Sequence, residues 1–153
     1  MKQNLKIEIE NLAQQAQAAS RPLAILSSAT KNVVLKDMAS ALLIEQAIIL
    51  KANRKDISKS RSKGKAFLDR LTLTKKIIKQ MADSLLNIIK LPDPVGEVLR
   101  GWDTANGLRI QKVRCPIGVV AIIYESRPDV TSDCIGLCFK SGNSVILRGG
   151  SEA

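Results

Sequence analysis

The sequence predicts an α/β chain with its helices first and its strands last. Three observations carry this. Apolar residues recur at helical spacing through roughly the first ninety positions and give way after Pro94 to short strand-like runs. Asn106-Gly107 stands between two such runs, and both residue types tolerate the positive φ of a tight hairpin. The last quarter, Pro116 to Ala153, reads as an apolar run, a polar turn, an amphipathic stretch and a second apolar run, which is the pattern of a βαβ unit.

Taken in order, Leu5, Ile9, Leu12, Ala16 and Ala19 form a helical stripe that Pro22 is expected to end. Ser27 or Ser28 can cap a second helix, with Leu35, Met38, Ala39, Leu42 and Ile49 on its inner face, fading near Asn53. A basic stretch from Lys51 to Lys65 follows, and Gly64 is a plausible stop. Thr74 can cap a further helix carrying Ile78, Met81, Ala82, Leu85 and Ile89, ended by Pro92 and Pro94. Residues 1–92 therefore read as an antiparallel helical layer. Residues 96–115 read as a hairpin, Glu97 to Trp102 with Leu108 to Cys115. Residues 116–153 read as the βαβ unit: a buried strand from Ile117 to Tyr124, a helix opening at Pro128 with Val130, Cys134, Leu137 and Cys138 inward, a stop at Ser141-Gly142-Asn143, and a strand from Ser144 to Leu147.

The totals narrow the functional classes. With 153 residues, 45% hydrophobic and 25% charged, one domain can bury a core, built from aliphatic residues because only 3% are aromatic. A net charge of +10 favours an anionic partner: a phosphorylated small molecule, a nucleic acid or a membrane surface. The N-terminus is polar where a secretory leader would be apolar, and no apolar run is long enough to span a bilayer. Three cysteines, Cys115, Cys134 and Cys138, with no histidine and no ligand spacing, argue against a metal site and for a reducing, cytoplasmic setting. All three read as buried structural thiols.

Polar residues gather at the carboxyl ends of the two parallel strands, where open α/β sheets bind their ligands. The chain thus begins a nucleotide-binding domain without finishing it. Arg148, ending the second strand about two dozen residues after Tyr124, stands where such folds read the adenosine ribose; an Arg there accommodates a 2′-phosphate. The alternative is an Arg that solvates a strand end. Glu152 can accept from a ribose hydroxyl. No G-x-G-x-x-G follows Tyr124, which disfavours a plain Rossmann dehydrogenase. Ser126 can donate to a substrate oxygen or cap the following helix, and Arg127 can hold a carboxylate or phosphate. The basic run from Lys51 to Lys65 lacks the aromatics that stack bases, so specific nucleic-acid binding is the least favoured reading.

Leu68-Asp69-Arg70-Leu71, Met81-Ala82-Asp83, Leu91-Pro92-Asp93-Pro94-Val95-Gly96-Glu97-Val98, Asn106-Gly107-Leu108, Tyr124-Glu125-Ser126-Arg127-Pro128, Lys140-Ser141-Gly142-Asn143 and Leu147-Arg148-Gly149-Gly150-Ser151-Glu152-Ala153 together strongly resemble the γ-glutamyl phosphate reductases, or glutamate-5-semialdehyde dehydrogenases, of the aldehyde dehydrogenase superfamily. The resemblance implies an NADPH-dependent reduction of γ-glutamyl phosphate, received from the kinase of the preceding step, to glutamate-5-semialdehyde in proline biosynthesis. It implies an aldehyde-dehydrogenase-like NADP-binding domain and a small β flap, formed in part by the hairpin, through which subunits associate as homo-oligomers. It places Ile123, Tyr124 and Glu125 along the cofactor groove, Ser126 at the oxyanion position, and Arg148 against the ribose and 2′-phosphate.

Departures accompany the likeness. The family's nucleophilic cysteine and the rest of its sheet lie beyond Ala153, and Asp129 stands where the family pattern has Asn. The expectation is therefore the N-terminal portion of such a reductase, inactive alone. A truncated or split-enzyme product is the alternative.

Overall fold

Residues 2–125 and 127–151 are described by the computed structural model. It is mixed α/β, with a run of helices followed by two small sheets. Helix α1 spans Lys2–Ala24. Pro22 lies inside its last turn rather than ending it. Proline's fixed φ is helical, and so near the C-terminus its missing N–H removes a single ladder bond. Helix α2, Ser28–Ile44, begins where Ser27 Oγ accepts from the Thr30 N–H at 3.1 Å. The expected continuation to Asn53 is broken at Glu45, and α3 runs separately over Gln46–Lys59. No proline or glycine marks that break. A single 3₁₀ turn, Arg61–Lys63, closes at Gly64, whose φ of +86° suits glycine. Helices α4, Lys65–Leu71, and α5, Lys75–Lys90, follow. Thr74 Oγ1 caps α5 by accepting from the Ile77 N–H at 3.2 Å.

The core lies where α2 crosses α5. Leu35, Ala39, Ala82, Leu85 and Ile88 form one buried cluster; Leu73, Ile78 and Met81 form a second, with Leu42 and Ile49 against it. These are the stripes expected from spacing, with Ile88 more deeply buried than Ile89. Two buried cations tie the layer together. Lys31 Nζ donates to both carboxylate oxygens of Asp93, at 3.1 and 2.9 Å, and the same carboxylate accepts from Ser28 and the Val95 N–H. Lys140 Nζ donates to Asn32 Oδ1 at 2.7 Å and to the Ile89 carbonyl at 3.2 Å. Buried charges need such partners, because an unpaired one loses its hydration without return.

Strands β1, Val98–Asp103, and β2, Arg109–Val113, form an antiparallel hairpin with a register shift between Val98 and Arg100. Only Gly107 in its turn has positive φ, 82°; Asn106 does not. Strands β3, Val119–Ile123, and β4, Ser144–Arg148, pair in parallel, joined by α6, Pro128–Lys140. The buried strand expected from Ile117 to Tyr124 is only partly buried: Ile117 is 84% and Ile123 85% exposed. A two-stranded parallel pair has an open edge on each side, and the described helices do not cover both of its faces. The inward face of α6 also differs from expectation. Leu137 is 52% exposed, while Ser132, Gly136 and Cys138 are buried. Gly136 sets this rotation, since a Cβ there would stand 2.6 Å from a Leu85 methyl and 2.8 Å from one of Ile88. Of the cysteines, Cys138 is buried and Cys134 half-buried, but Cys115 is exposed in the segment between β2 and β3. Among the described residues no helix is long and apolar enough to cross a membrane.

Candidate functional site

The site is built at the carboxyl ends of β3 and β4. Ile123 pairs with Arg148, and the Tyr124 N–H extends the ladder to the Arg148 carbonyl at 3.1 Å. Helix α6 begins at Pro128, and Tyr124, Pro128 and Arg148 line one space. Tyr124 is held there by a 2.7 Å hydrogen bond between its hydroxyl and Thr131 Oγ1, and its ring lies 3.5–3.6 Å from where a Gly149 Cβ would be. The closest approach of that ring therefore falls on a residue without a side chain.

A cleft of about 440 Å³ lies over these ends. Arg148, Gly149 and Gly150 form one rim, Tyr124 and Thr131 the floor, and Ile48, Ile49 and Ala52 of α3 the opposite wall. Asp56, one turn further along α3, adds a carboxylate to the same cleft. Arg148 is exposed and spends one donor on the Gly149 carbonyl at 2.7 Å. Four further N–H donors remain on a guanidinium. Apolar walls, one cation and one carboxylate suit a nucleoside with a phosphate on its sugar.

The structure distributes the residues singled out in the sequence as follows. Tyr124 and Arg148 meet in this cleft. Ile123 sits at the strand end with its side chain open to solvent. Glu125 turns away and pairs with Arg70 of α4, Oε2 to Nη1 at 2.9 Å. Arg127 lines a separate, smaller cavity and reaches Asp129 at 3.4 Å. Ser126 and Glu152 lie outside the described residues. The N-cap position of α6 is held by Arg127, with no side-chain cap bond. The wall contributed by α3 was not foreseen. Nothing in the spacing of Ile48, Ile49, Ala52 or Asp56 distinguishes a cleft wall from an ordinary inner face.

Cys134 and Cys138 are poor nucleophiles. Burial, and then the nearby Asp133 carboxylate, pushes the Cys134 thiol up. Burial and then Cys134 do the same to Cys138. Cys115 lines a different cavity with Pro94, Arg114 and Pro116. Among the described residues no three His, Cys, Asp or Glu side chains gather as a metal-binding group.

No family model matches the chain. Curated relatives do. It is 51% identical over 149 residues to a γ-glutamyl phosphate reductase of Thermoanaerobacter sp. (strain X514), covering 96% of this chain and 36% of that protein. It is 53% identical over 148 residues to one of Heliobacterium modesticaldum, covering 95% and 36%. Among solved structures, the γ-glutamyl phosphate reductase of Thermotoga maritima superposes with a TM-score of 0.89 at 43% identity, over 92% of this chain and 34% of that one. That of Saccharomyces cerevisiae gives 0.85 at 32% identity, over 93% and 37%. The chain thus spans about a third of the length of the relatives it matches.

Proposed function

This chain is a homologue of the γ-glutamyl phosphate reductases, corresponding to an N-terminal portion of them, and we propose that it supplies the cofactor-binding side of an NADPH-dependent reduction of γ-glutamyl phosphate to glutamate-5-semialdehyde. The observation that carries the cofactor reading is the cleft at the β3 and β4 ends with Arg148 on its rim. Its apolar wall fits an adenine, Asp56 a ribose hydroxyl, and Arg148 a 2′-phosphate, the group that separates NADPH from NADH. When bound, the cofactor supplies hydride. The chain's own residues orient and select: Tyr124, locked to Thr131, shapes the cleft.

The nucleophile that opens an acyl phosphate is not Cys115, Cys134 or Cys138. In this reading it comes from the part of the family protein that these residues do not span, as do the strands that would pair with β3 and β4. The hairpin, with Val98, Leu99, Trp102, Leu108, Ile110 and Val113 all substantially exposed, would carry contacts between subunits of a homo-oligomer. A cytoplasmic setting follows the same reading.

The test is cofactor binding, followed by nicotinamide fluorescence in titrations with NADPH and NADH. Charge-assisted hydrogen bonds of this kind contribute about 1.5–3 kcal/mol. Arg148→Ala is therefore expected to weaken NADPH binding by about 10- to 100-fold while leaving NADH nearly unchanged. Equal effects on the two cofactors, or no binding of either by the parent chain, would refute the assignment.

A further inference from the structure

A second cavity, of about 290 Å³, shares Leu73 with the cofactor cleft. Asp69 and Arg70 of α4, Thr72, Gln80 of α5, Arg127 and Asp129 line it. Its chemistry is more highly charged than that of the first cleft: two arginines and two aspartates line it, against one of each there.

Two guanidiniums reach this cavity, and neither is consumed by its neighbour. Arg70 spends Nη1 on Glu125 at 2.9 Å, and Arg127 reaches Asp129 Oδ2 at 3.4 Å, the long edge of a hydrogen bond. Each guanidinium has five donors. Among the described residues Asp129, in the first turn of α6, is bonded through one carboxylate oxygen only, and the Asp69 carboxylate lines the same space. A phosphate dianion would find the two arginines but would also face two carboxylates. A simple cation would meet the reverse. A zwitterion with a carboxylate and an ammonium on the same carbon satisfies both.

We propose that this cavity binds the α-amino-carboxylate end of an amino-acid substrate, Arg127 and Arg70 taking its carboxylate and Asp129 its ammonium. The identity of that substrate as a glutamyl compound rests on the reductase reading above. The two cavities share Leu73, and Pro128 lines the first while its neighbours Arg127 and Asp129 line the second. Asp129 becomes a specificity residue, selecting substrates that carry the ammonium.

Binding of four probes to the intact chain, by isothermal titration calorimetry, tests this. They are L-glutamate, glutarate (no ammonium), 4-aminobutyrate (no α-carboxylate) and inorganic phosphate. L-glutamate should bind at least about tenfold tighter than glutarate or 4-aminobutyrate, the discrimination expected of one charge-assisted pair. Asp129→Asn should remove most of the advantage over glutarate and spare that over 4-aminobutyrate; Arg127→Gln should do the converse. Arg127 is 52% and Asp129 34% exposed in their side chains, so neither substitution should disturb folding, which circular dichroism checks. Glutarate matching L-glutamate, phosphate displacing it through Arg127, insensitivity to both substitutions, or no binding of L-glutamate would each overturn the assignment. Loss of NADPH binding with this discrimination intact would count against the reductase reading alone. NADPH binding without the discrimination would count against this subsite alone.

Discussion

Replacing Asp93 with Ala should destabilise the chain by about 3–5 kcal/mol, the range for removing one partner of a buried ion pair. Lys31 has no exposed side-chain surface and Asp93 only 11%, with 2.9 Å between Nζ and Oδ2. At an effective dielectric constant of about 20, two unit charges at that distance attract by roughly 6 kcal/mol. Desolvation costs several kcal/mol per ion, so the intact pair is worth little net. Without Asp93, however, the ammonium keeps its desolvation cost and loses its partner. The Val95 N–H also loses its acceptor and Ser28 its partner. Three chains decide the matter in urea unfolding followed by circular dichroism: Asp93→Ala, Lys31→Met, and the double variant Lys31→Met/Asp93→Leu. The first should be the most destabilised and the last should recover most of the loss, because apolar replacement removes both desolvation costs. A pH series adds an independent check. Burial raises the Asp93 pKa, but the hydrogen bonds from Lys31, Ser28 and Val95, with the Lys31 charge, outweigh it and hold the carboxyl below its ordinary 3.8. A depressed carboxyl pKa contributes stability above 3.8 that is lost as pH falls through the folded value. The gap between the parent and Asp93→Ala should therefore narrow below about pH 4. A gap under ~1 kcal/mol at pH 7, or one that does not change with acid, would refute the reasoning.

Asn53 is 5% exposed and clamps the α4–α5 link, donating to the Leu71 carbonyl and accepting from the Leu73 N–H, both at 2.8 Å. Asn53→Ala strands two buried backbone groups and should cost about 2–4 kcal/mol in urea unfolding; a loss under 1 would mean water replaces the clamp. Alkylation by iodoacetamide at pH 8, read by mass spectrometry, should mark Cys115 first. Cys134 and Cys138 should lag, since burial and nearby groups raise their pKa values and the thiolate is the reactive form. Comparable rates at all three sites would contradict the burial described.

Local signals in the sequence were sufficient for most elements. Ser27 and Thr74 cap helices, Gly142 turns the chain with φ +72°, and Pro128 opens α6, because caps, turns and proline act through the residues next to them. The α2–α5 core was legible for the same reason: its stripe repeats within each helix. Three elements departed from the local rules. Pro22 does not end α1, Glu45 interrupts a helix without a breaker, and Leu137 faces outward because Gly136 admits Leu85 and Ile88 to the helix backbone.

The same division holds for function. The sequence by itself determined the strand–turn–helix–strand order, and with it the position of Tyr124 and Arg148 at the carboxyl ends of neighbouring parallel strands. Pattern alone predicts that arrangement, since a βαβ connection leaves few alternatives. Tertiary structure alone decided what faces those ends. It brought α3 over the cleft, drew Glu125 to Arg70, and gathered Arg70, Arg127 and Asp129 around one cavity. Arg70 stands 55 positions before Glu125 in the chain. Such placements depend on how whole helices cross, which no local spacing encodes.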